Sequence, residues 1–380
     1  MTLITEIEPL PVTAGGGSFF LVVVHTDEGL YGLGEIGMRS RPATVAGAVR
    51  DVAELVAGAD ASRIEHLWQT LYRGGFFPAD RDVGAVLAAL DLALWDLRGK
   101  ALGVPVYDLL GGRARDFVPA YVHLRGGDPR STVEAARRLV EEGWTHLRLG
   151  LGDQPGSQAF EPRRAVRRTL DLVAALRADL GDDIELIVDV HTRLDPAEAV
   201  LFCDEVRAAR PLFVEDPLRS ENLDAYRSLR ARTTVPLAAG EQLTTKWAFR
   251  PLLEDDLIDH ARIDVANTGI TEGRKIAAMA EAHYINVATH NPLGPVCTAA
   301  STHLGLSLPN VSVQEQPRPH GWDDAVILAA PTVSAGAVTP ADLPGLGVDI
   351  DLTAARSAAS SVRFAPPPRF HRPDGAVTNW

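Results

Sequence analysis

Cysteine is nearly missing from this sequence, which has only Cys203 and Cys297 in 380 residues. Two thiols build neither a disulfide framework nor a structural zinc site, so a packed core must hold the chain, and a reducing cytoplasm is the expected compartment. Long apolar runs are missing too. The longest, Phe19 to Val24, falls far short of the ~20 residues that span a bilayer, and Glu6 and Glu8 stand where a signal peptide needs positive charge. Basic residues are outnumbered, 37 Lys and Arg against 50 Asp and Glu, for a formal charge of −13. That balance argues against nucleic acid and membrane surfaces as partners, because both are held by clustered cations. An anionic small molecule would need a cation to help hold it.

What remains is an ordinary globular composition, 46% hydrophobic and 23% charged, with enough chain for one large core and a second domain. From about residue 115, helix signals recur with their own start and stop chemistry. Ser131 with Glu134 reads as a capping box before a helix that stops at Gly143, and Val166 to Leu180 shares one helical face ahead of Gly181. Asp195, Pro196 and Glu198 supply an N-cap, a first-position proline and an acidic third position. Ser220 and Thr271 read as later helix starts. Between them lie short strand-like runs: Pro119–Val122, His146–Leu149, Ile184–Val190, Leu212–Val214, Pro236–Ala239, Ala261–Ile263, Ile285–Ala288 and Val311–Val313. Strands alternating with helices in this way predict a parallel α/β barrel, a TIM-type fold with its chemistry at the C-terminal strand ends.

Such a barrel takes about 250 residues, and most of the surplus is N-terminal. Leu21 to His25 and Tyr31 to Glu35 flank an Asp27-Glu28-Gly29 turn, and Val83 to Leu102 reads as a helix. An α+β domain over 1–115 therefore precedes the barrel at 116–325, and the Pro- and Gly-rich segment 326–380 is expected to return to that first domain. Gly15 to Gly17 lacks the strand and helix of a phosphate loop. It reads as a mobile loop able to cover the barrel mouth.

Asp189, Glu215, Glu241, Asp264, His290 and Glu315 recur at intervals of roughly 25 residues, one strand-plus-helix unit, and fall at or just past successive strand ends. Carboxylates converging from Asp189, Glu215 and Glu241 repel one another unless a cation sits among them, and hard oxygen ligands suit Mg²⁺. His191, two residues past Asp189, is expected by strand alternation to face the same side as an acid/base group. Asp264 beside His290 would orient the ring and stabilise its protonated form. Arg148 either binds a substrate carboxylate or pairs with a structural acid. Glu315 closes the ring, touching either substrate or metal-bound water. From the first domain Arg39, Arg73, Phe76 and Phe77 are candidates to line the site.

Several stretches then carry a resemblance: Val188-Asp189-Val190-His191, Val214-Glu215-Asp216-Pro217, Ala239-Gly240-Glu241, His290-Asn291-Pro292-Leu293-Gly294-Pro295 and Gln314-Glu315-Gln316, with Gly32-Leu33-Gly34-Glu35 and Ala93-Leu94-Trp95-Asp96 in the first domain. Over essentially its whole length the sequence resembles the enolase superfamily, in its mandelate racemase/muconate lactonising group, and is most similar to the D-galactonate dehydratases. The resemblance implies a modified (β/α)7β barrel under a capping domain, Mg²⁺ on Asp189, Glu215 and Glu241, and a symmetric homo-oligomer. It also implies the chemistry. His290, supported by Asp264, would take the C2 proton of an aldonate to give an enediolate, His191 would protonate the departing C3 hydroxyl, and a 2-keto-3-deoxy sugar acid would result.

Three departures qualify this. Arg148 and Gly150 stand where many relatives have Lys-x-Lys, which speaks against racemase or epimerase activity. Arg148 instead resembles the mannonate dehydratases, yet the tyrosine expected after it is missing and only Phe160 is aromatic between Leu149 and Pro162. Val265 to Gly269 is one residue short, which could alter how Asp264 meets His290. The alternatives are therefore a mannonate or gluconate dehydratase of low activity, or a catalytically silent relative that binds a metabolite.

Overall fold

A computed structural model describes residues 2–38, 40–79, 81–125, 128–152, 158–322, 324–366 and 369–378. The chain opens with an antiparallel sheet, β1 (Ile4–Ala14), β2 (Gly17–Thr26) and β3 (Tyr31–Glu35), followed by α1 (Pro42–Val56), α2 (Ile64–Arg73), α3 (Arg81–Leu102) and α4 (Val106–Leu109). The apolar run of the sequence is the central strand. Phe20, Val22 and Val24 face the core under α1 to α3, while Phe19, Leu21 and Val23 face the core shared with the barrel. Alternation along a strand buried on both faces turns an unbroken apolar run into two hydrophobic surfaces. Gly15 and Gly16 make the β1–β2 turn, and Gly15 is bonded through its N–H to Asp324 and through its carbonyl to Arg318.

The barrel follows as β4 (Val118–His123), α5 (Pro129–Glu141), β5 (His146–Gly150), α6 (Pro162–Leu180), β6 (Glu185–Asp189), α7 (Pro196–Val206), β7 (Phe213–Glu215), α8 (Asp224–Arg230), β8 (Leu237–Ala239), α9 (Lys246–Glu254), β9 (His260–Ala261), α10 (Val265–Ala282), β10 (Asn286–Thr289), α11 (Pro295–Ser307) and β11 (Val311–Gln316). All eight strands run parallel, and β11 pairs with β4 to close the ring. Among the described residues no helix completes the eighth unit: the chain goes on to β12 (Ile327–Ala329), β13 (Thr332–Ser334), β14 (Ala337–Thr339), β15 (Asp349–Ile350) and α12 (Leu352–Ala358). This is a (β/α)7β barrel. The β13–β14 hairpin adds to the start of β4, at the end away from the carboxylates, and Arg356 on α12 pairs with Glu8 on β1.

Two helix starts differ from the sequence reading, while a third, Thr271, falls in the first turn after a kink. α5 begins at Pro129 because Asp128, not Ser131, caps it, accepting from the Arg130 and Ser131 N–H groups at 3.0 and 3.1 Å; Ser131 is the third residue of that box. Ser220 starts no helix, since its hydroxyl bonds the Gln242 side chain at 2.6 Å and α8 begins at Asp224. Thr271 lies inside α10, just past a kink at Gly269 where φ is 71°.

Buried carboxylates tie the first domain to the barrel. Glu35 accepts from the Gly294 and Cys297 N–H groups at the start of α11, at 2.6 and 2.9 Å. Asp91 accepts from Thr271 N–H at 2.9 Å, capping α10 beyond its kink from another domain. Asp96 joins Leu33 N–H at 2.9 Å to Leu346 N–H at 2.8 Å. Each satisfies donors that a helix start or loop would otherwise leave unmade in the dry interior.

β3 lies directly on α3, and a Cβ added at Gly34 would overlap the Ala89 carbonyl, a backbone atom that cannot swing aside. Gly34→Ala is therefore expected to lower stability by about 3 kcal/mol or more, read from urea denaturation. A loss under about 1 kcal/mol would show that strand and helix can separate.

Candidate active site

Barrel geometry builds the site in two layers. Tyr121, Ile187, Phe213, Ala238, Ala288 and Val313 form a buried apolar layer inside the barrel. Two residues further along, on the same strand face, come His123, Asp189, Glu215, His290 and Glu315. Gly240, with φ of 133°, breaks the alternation on β8, so the functional group there is Glu241, one position later.

Just past β9 the residue two before Asp264 is Arg262, a guanidinium where the other strands place apolar groups. It is fully buried. It donates to Glu215 Oε1 at 2.7 Å, Glu315 Oε2 at 2.9 Å, the Tyr121 hydroxyl at 2.8 Å, and the carbonyls of Ala288 and Thr289 at 3.0 and 3.1 Å. All five N–H donors of the fork can thereby be used. The sequence reading missed Arg262; its spacing from Asp264 was the available signal.

Above it, Glu215, Asp216 and Glu241 bring carboxylate oxygens within 4.8 Å of one another. Burial pushes Glu215 up to about 7 against the pull of Arg262, and burial beside Glu241 and Glu215 pushes Asp216 well above the usual carboxylate range. Glu241 is also penalised by burial, but His290, Arg262 and His191 hold it below its ordinary value. Glu215 Oε2 and Asp216 Oδ2 are buried with no hydrogen-bond partner among the described residues. Orphaned carboxyl oxygens within one such cluster fit a hard divalent cation, which would displace their protons. Asp189 abuts this cluster on the neighbouring strand, where it is ion-paired with Arg148. Of the three ligands named from sequence, Glu215 and Glu241 share the cluster, and Asp216 joins them from the loop after β7.

Two imidazoles flank the carboxylates from different sides of the ring. His290 places Nδ1 2.8 Å from Asp264 and Nε2 3.3 Å from Glu241. Burial opposes its charge, but Glu241, Glu315 and Asp264 together raise it to about 10. Asp264 caps α10 through Ala266 N–H at 2.9 Å and accepts from the Asn267 side chain at 2.6 Å, so the short Val265–Gly269 segment leaves it facing His290. His191 sits against Asp189, Nε2 to Oδ2 2.9 Å, and contacts an Arg148 nitrogen at 2.8 Å. Strand alternation is not what puts it there. β6 ends at Asp189, and His191 and Thr192 both have left-handed backbone, φ 51° and 57°, a conformation that costs about 1 kcal/mol or more per non-glycine residue.

Glu315 is held from behind. His123 meets one oxygen at 2.6 Å, and Arg262 and Asn291 N–H take the other; His290, His123 and Arg262 keep its carboxyl well below the usual range despite burial. It supports the site as the partner of Arg262 and His123. Arg148 pairs with Asp189, itself a candidate metal ligand. Arg73 is exposed, bonded to Gln69 and stacked 5.2 Å from the Trp247 ring; no described contact brings it to the carboxylates. Phe76 and Phe77 are exposed at 95% and 81%, in a loop whose end, Arg81, reaches the Gln242 carbonyl beside Glu241 at 3.0 Å. Arg39 lies outside the described residues.

Residues 7–111 match the family described as mandelate racemase/muconate lactonizing enzyme, N-terminal domain, and residues 131–355 match the enolase C-terminal domain-like family. The chain belongs to the mandelate racemase/muconate lactonizing enzyme family. It is 37% identical to a D-mannonate dehydratase of Sphingomonas sp. (strain SKA58), across 97% of this chain and 98% of that one. To a D-galactonate dehydratase of Ralstonia nicotianae (strain ATCC BAA-1114 / GMI1000) it is 36% identical, across 94% and 95%. A crystal structure of an enolase from Pantoea ananatis with bound D-gluconate and Mg superposes with a TM-score of 0.91, at 30% identity over the full length of both chains. The protein is an enzyme of the hydro-lyase class, a carbon–oxygen lyase.

Arg262→Met removes the cation shared by Glu215 and Glu315 while filling its volume, and should cost about 3–5 kcal/mol in denaturant unfolding. Arg262→Lys should recover little, since an ammonium cannot serve five acceptors. Full stability in either variant would remove Arg262 from this role.

The raised carboxyls also set a pH dependence. Glu215, near 7, and Asp216 hold protons at neutral pH that a divalent cation must expel. Mg²⁺ should therefore bind with net proton release at pH 7 and more tightly as pH rises through 7. Calorimetry in buffers of different ionisation enthalpy measures this, and a buffer-independent heat contradicts it.

Proposed function

We propose that this enzyme dehydrates a sugar acid, a galactonate-like aldonate, to a 2-keto-3-deoxy sugar acid with Mg²⁺ as cofactor. The observation that carries the reading is the pair of imidazoles on two sides of one carboxylate cluster, each aligned by its own acid: His290 by Asp264 and His191 by Asp189. Relatives named D-galactonate and D-mannonate dehydratase support the sugar-acid class, and the Pantoea ananatis neighbour with D-gluconate and Mg supports both cofactor and ligand type.

Asp189, Glu215 and Glu241, with Asp216 beside them, would hold the cation, whose chemistry when bound is to stabilise negative charge developing on the substrate carboxylate. His290 Nε2 would take the proton next to that carboxylate once the surrounding negative charge that keeps the ring protonated at neutral pH is offset, and Asp264 at Nδ1 keeps the ring in the required orientation. His191 gives a proton to the departing hydroxyl from the other side. Arg148 positions His191 and Asp189, and no lysine is available on β5 to act as a second base, which favours elimination over racemisation.

The same reading divides the chain into a cap at 1–115, a barrel at 116–325 and a returning segment at 326–380. It also places the enzyme in the cytoplasm as a homo-oligomer acting on a small molecule. No helix is long and apolar enough to cross a membrane among the described residues.

A panel of aldonic and aldaric acids with Mg²⁺, followed by 2-keto acid formation, tests the reaction; binding without turnover across the panel would favour a silent metabolite-binding relative. On an active substrate, His290→Asn should abolish both C2 proton exchange in deuterated water and dehydration. His191→Asn should retain exchange while dehydration falls at least 100-fold. A His191 variant that dehydrates normally overturns its assignment.

A further inference from the structure

The left-handed turn at His191 and Thr192 follows β6 and is held on one side by the loop after β7, with Thr192 N–H donating to the Asp216 carbonyl at 2.8 Å. Beyond it stands Arg193, 6% exposed. Its guanidinium lies 4.5 Å from the ring centroid of Phe370 and 5.7 Å from that of Phe160, and it donates to the Leu151 carbonyl at 3.4 Å. The two rings come from distant parts of the chain that are tied together. His371 N–H donates to the Gln158 carbonyl at 2.9 Å, and Phe160 N–H donates back to the His371 carbonyl at 2.8 Å. Arg372 adds a contact to Asp195 at 3.8 Å, on the far side of the same loop.

We infer that Arg193, clamped between Phe160 and Phe370, is a positioning residue for His191, and that the C-terminal segment 369–378 serves the dehydration step by supplying one side of the clamp. A backbone in sparsely populated geometry persists only where its surroundings over-determine it. Released at Arg193, the turn can relax to ordinary φ values, carrying the imidazole away from Asp189. Aromatic rings within reach of a guanidinium attract it by cation–π contact, and here they add to its bond with the Leu151 carbonyl. Among the described residues His290 and Asp264 share no contact with the clamp, so the two half-reactions should separate. This inference rests on the assignment of His191 to the dehydration step.

The test compares wild type with Phe370→Leu, Arg193→Met and Arg193→Lys, using D-galactonate and Mg²⁺ as the probe. Phe370 is only partly buried in a terminal segment, so its loss leaves the barrel core intact. Dehydration kcat should fall about tenfold or more in Phe370→Leu and Arg193→Met, C2 exchange should stay within about twofold of wild type, and Arg193→Lys should recover part of the loss. In parallel, the ¹³C-labelled imidazole signal of His191 should move or broaden in both variants while that of His290 stays in place. Exchange and dehydration falling together, or an unmoved His191 signal in Arg193→Met, overturns the inference. A wild type inactive on D-galactonate defeats the proposed substrate, and the His191 signal then decides the clamp by itself.

Discussion

The site depends on one buried cation. Arg262 stands in a layer that other strands fill with isoleucine, phenylalanine, alanine and valine, and it bonds Glu215 and Glu315 from below. Six carboxylates gather at this end of the barrel, Asp189, Glu215, Asp216, Glu241, Asp264 and Glu315, against the guanidiniums of Arg262 and Arg148. That imbalance shows in the raised carboxyls of Glu215 and Asp216 and in the imidazolium of His290. Burying so much negative charge is costly unless a cation completes it. Arg262 is fixed by five acceptors and supplies the permanent part of that compensation. The orphaned oxygens of Glu215 and Asp216 mark where the exchangeable part belongs.

The barrel was legible because its period is long and regular. Apolar runs separated by capped helices return once per strand, and each strand end offers one functional side chain at a predictable place. The residues that escaped do not stand in that register. Arg262 lies one alternation below the functional layer, where a basic residue in an apolar strand reads as noise unless counted back from Asp264. Asp216 comes from the loop after β7, and His191 owes its position to two left-handed residues rather than to the pleat. Glu315 was legible as a member of the ring but not as a support, because its partners His123 and Asn291 come from other strands.

The capping domain shows the same limit in another form. Its hairpin and long helix could be read from turn and periodicity, and so could the strand Phe19 to Val24, though not that both of its faces are buried. What could not be read is that Glu35, Asp91 and Asp96 are structural. Each is an acid within an otherwise apolar context, the usual mark of a functional group, yet each serves backbone N–H groups of the barrel or the returning segment. Burial raises both Asp91, to about 7, and Asp96. A perturbed carboxyl is therefore not enough to mark chemistry in this fold. Convergence with other titratable groups at the strand ends is the better guide.

Arg148 shows how one strand end can decide which reaction the shared scaffold runs. A lysine there could lose its proton and act as a base on the second face of a substrate carbon; a guanidinium stays charged at any relevant pH. Here it is also committed, paired with Asp189 and touching His191 Nε2. An arginine so placed cannot shuttle protons, but it can hold Asp189 and the imidazole in register. Under the proposed reaction, the arginine that leaves no second base on one face is thus the same one that holds the imidazole assigned to departure. Proton abstraction on the second face and support of the leaving group would compete for the same strand end, and the proposed reaction needs only the second.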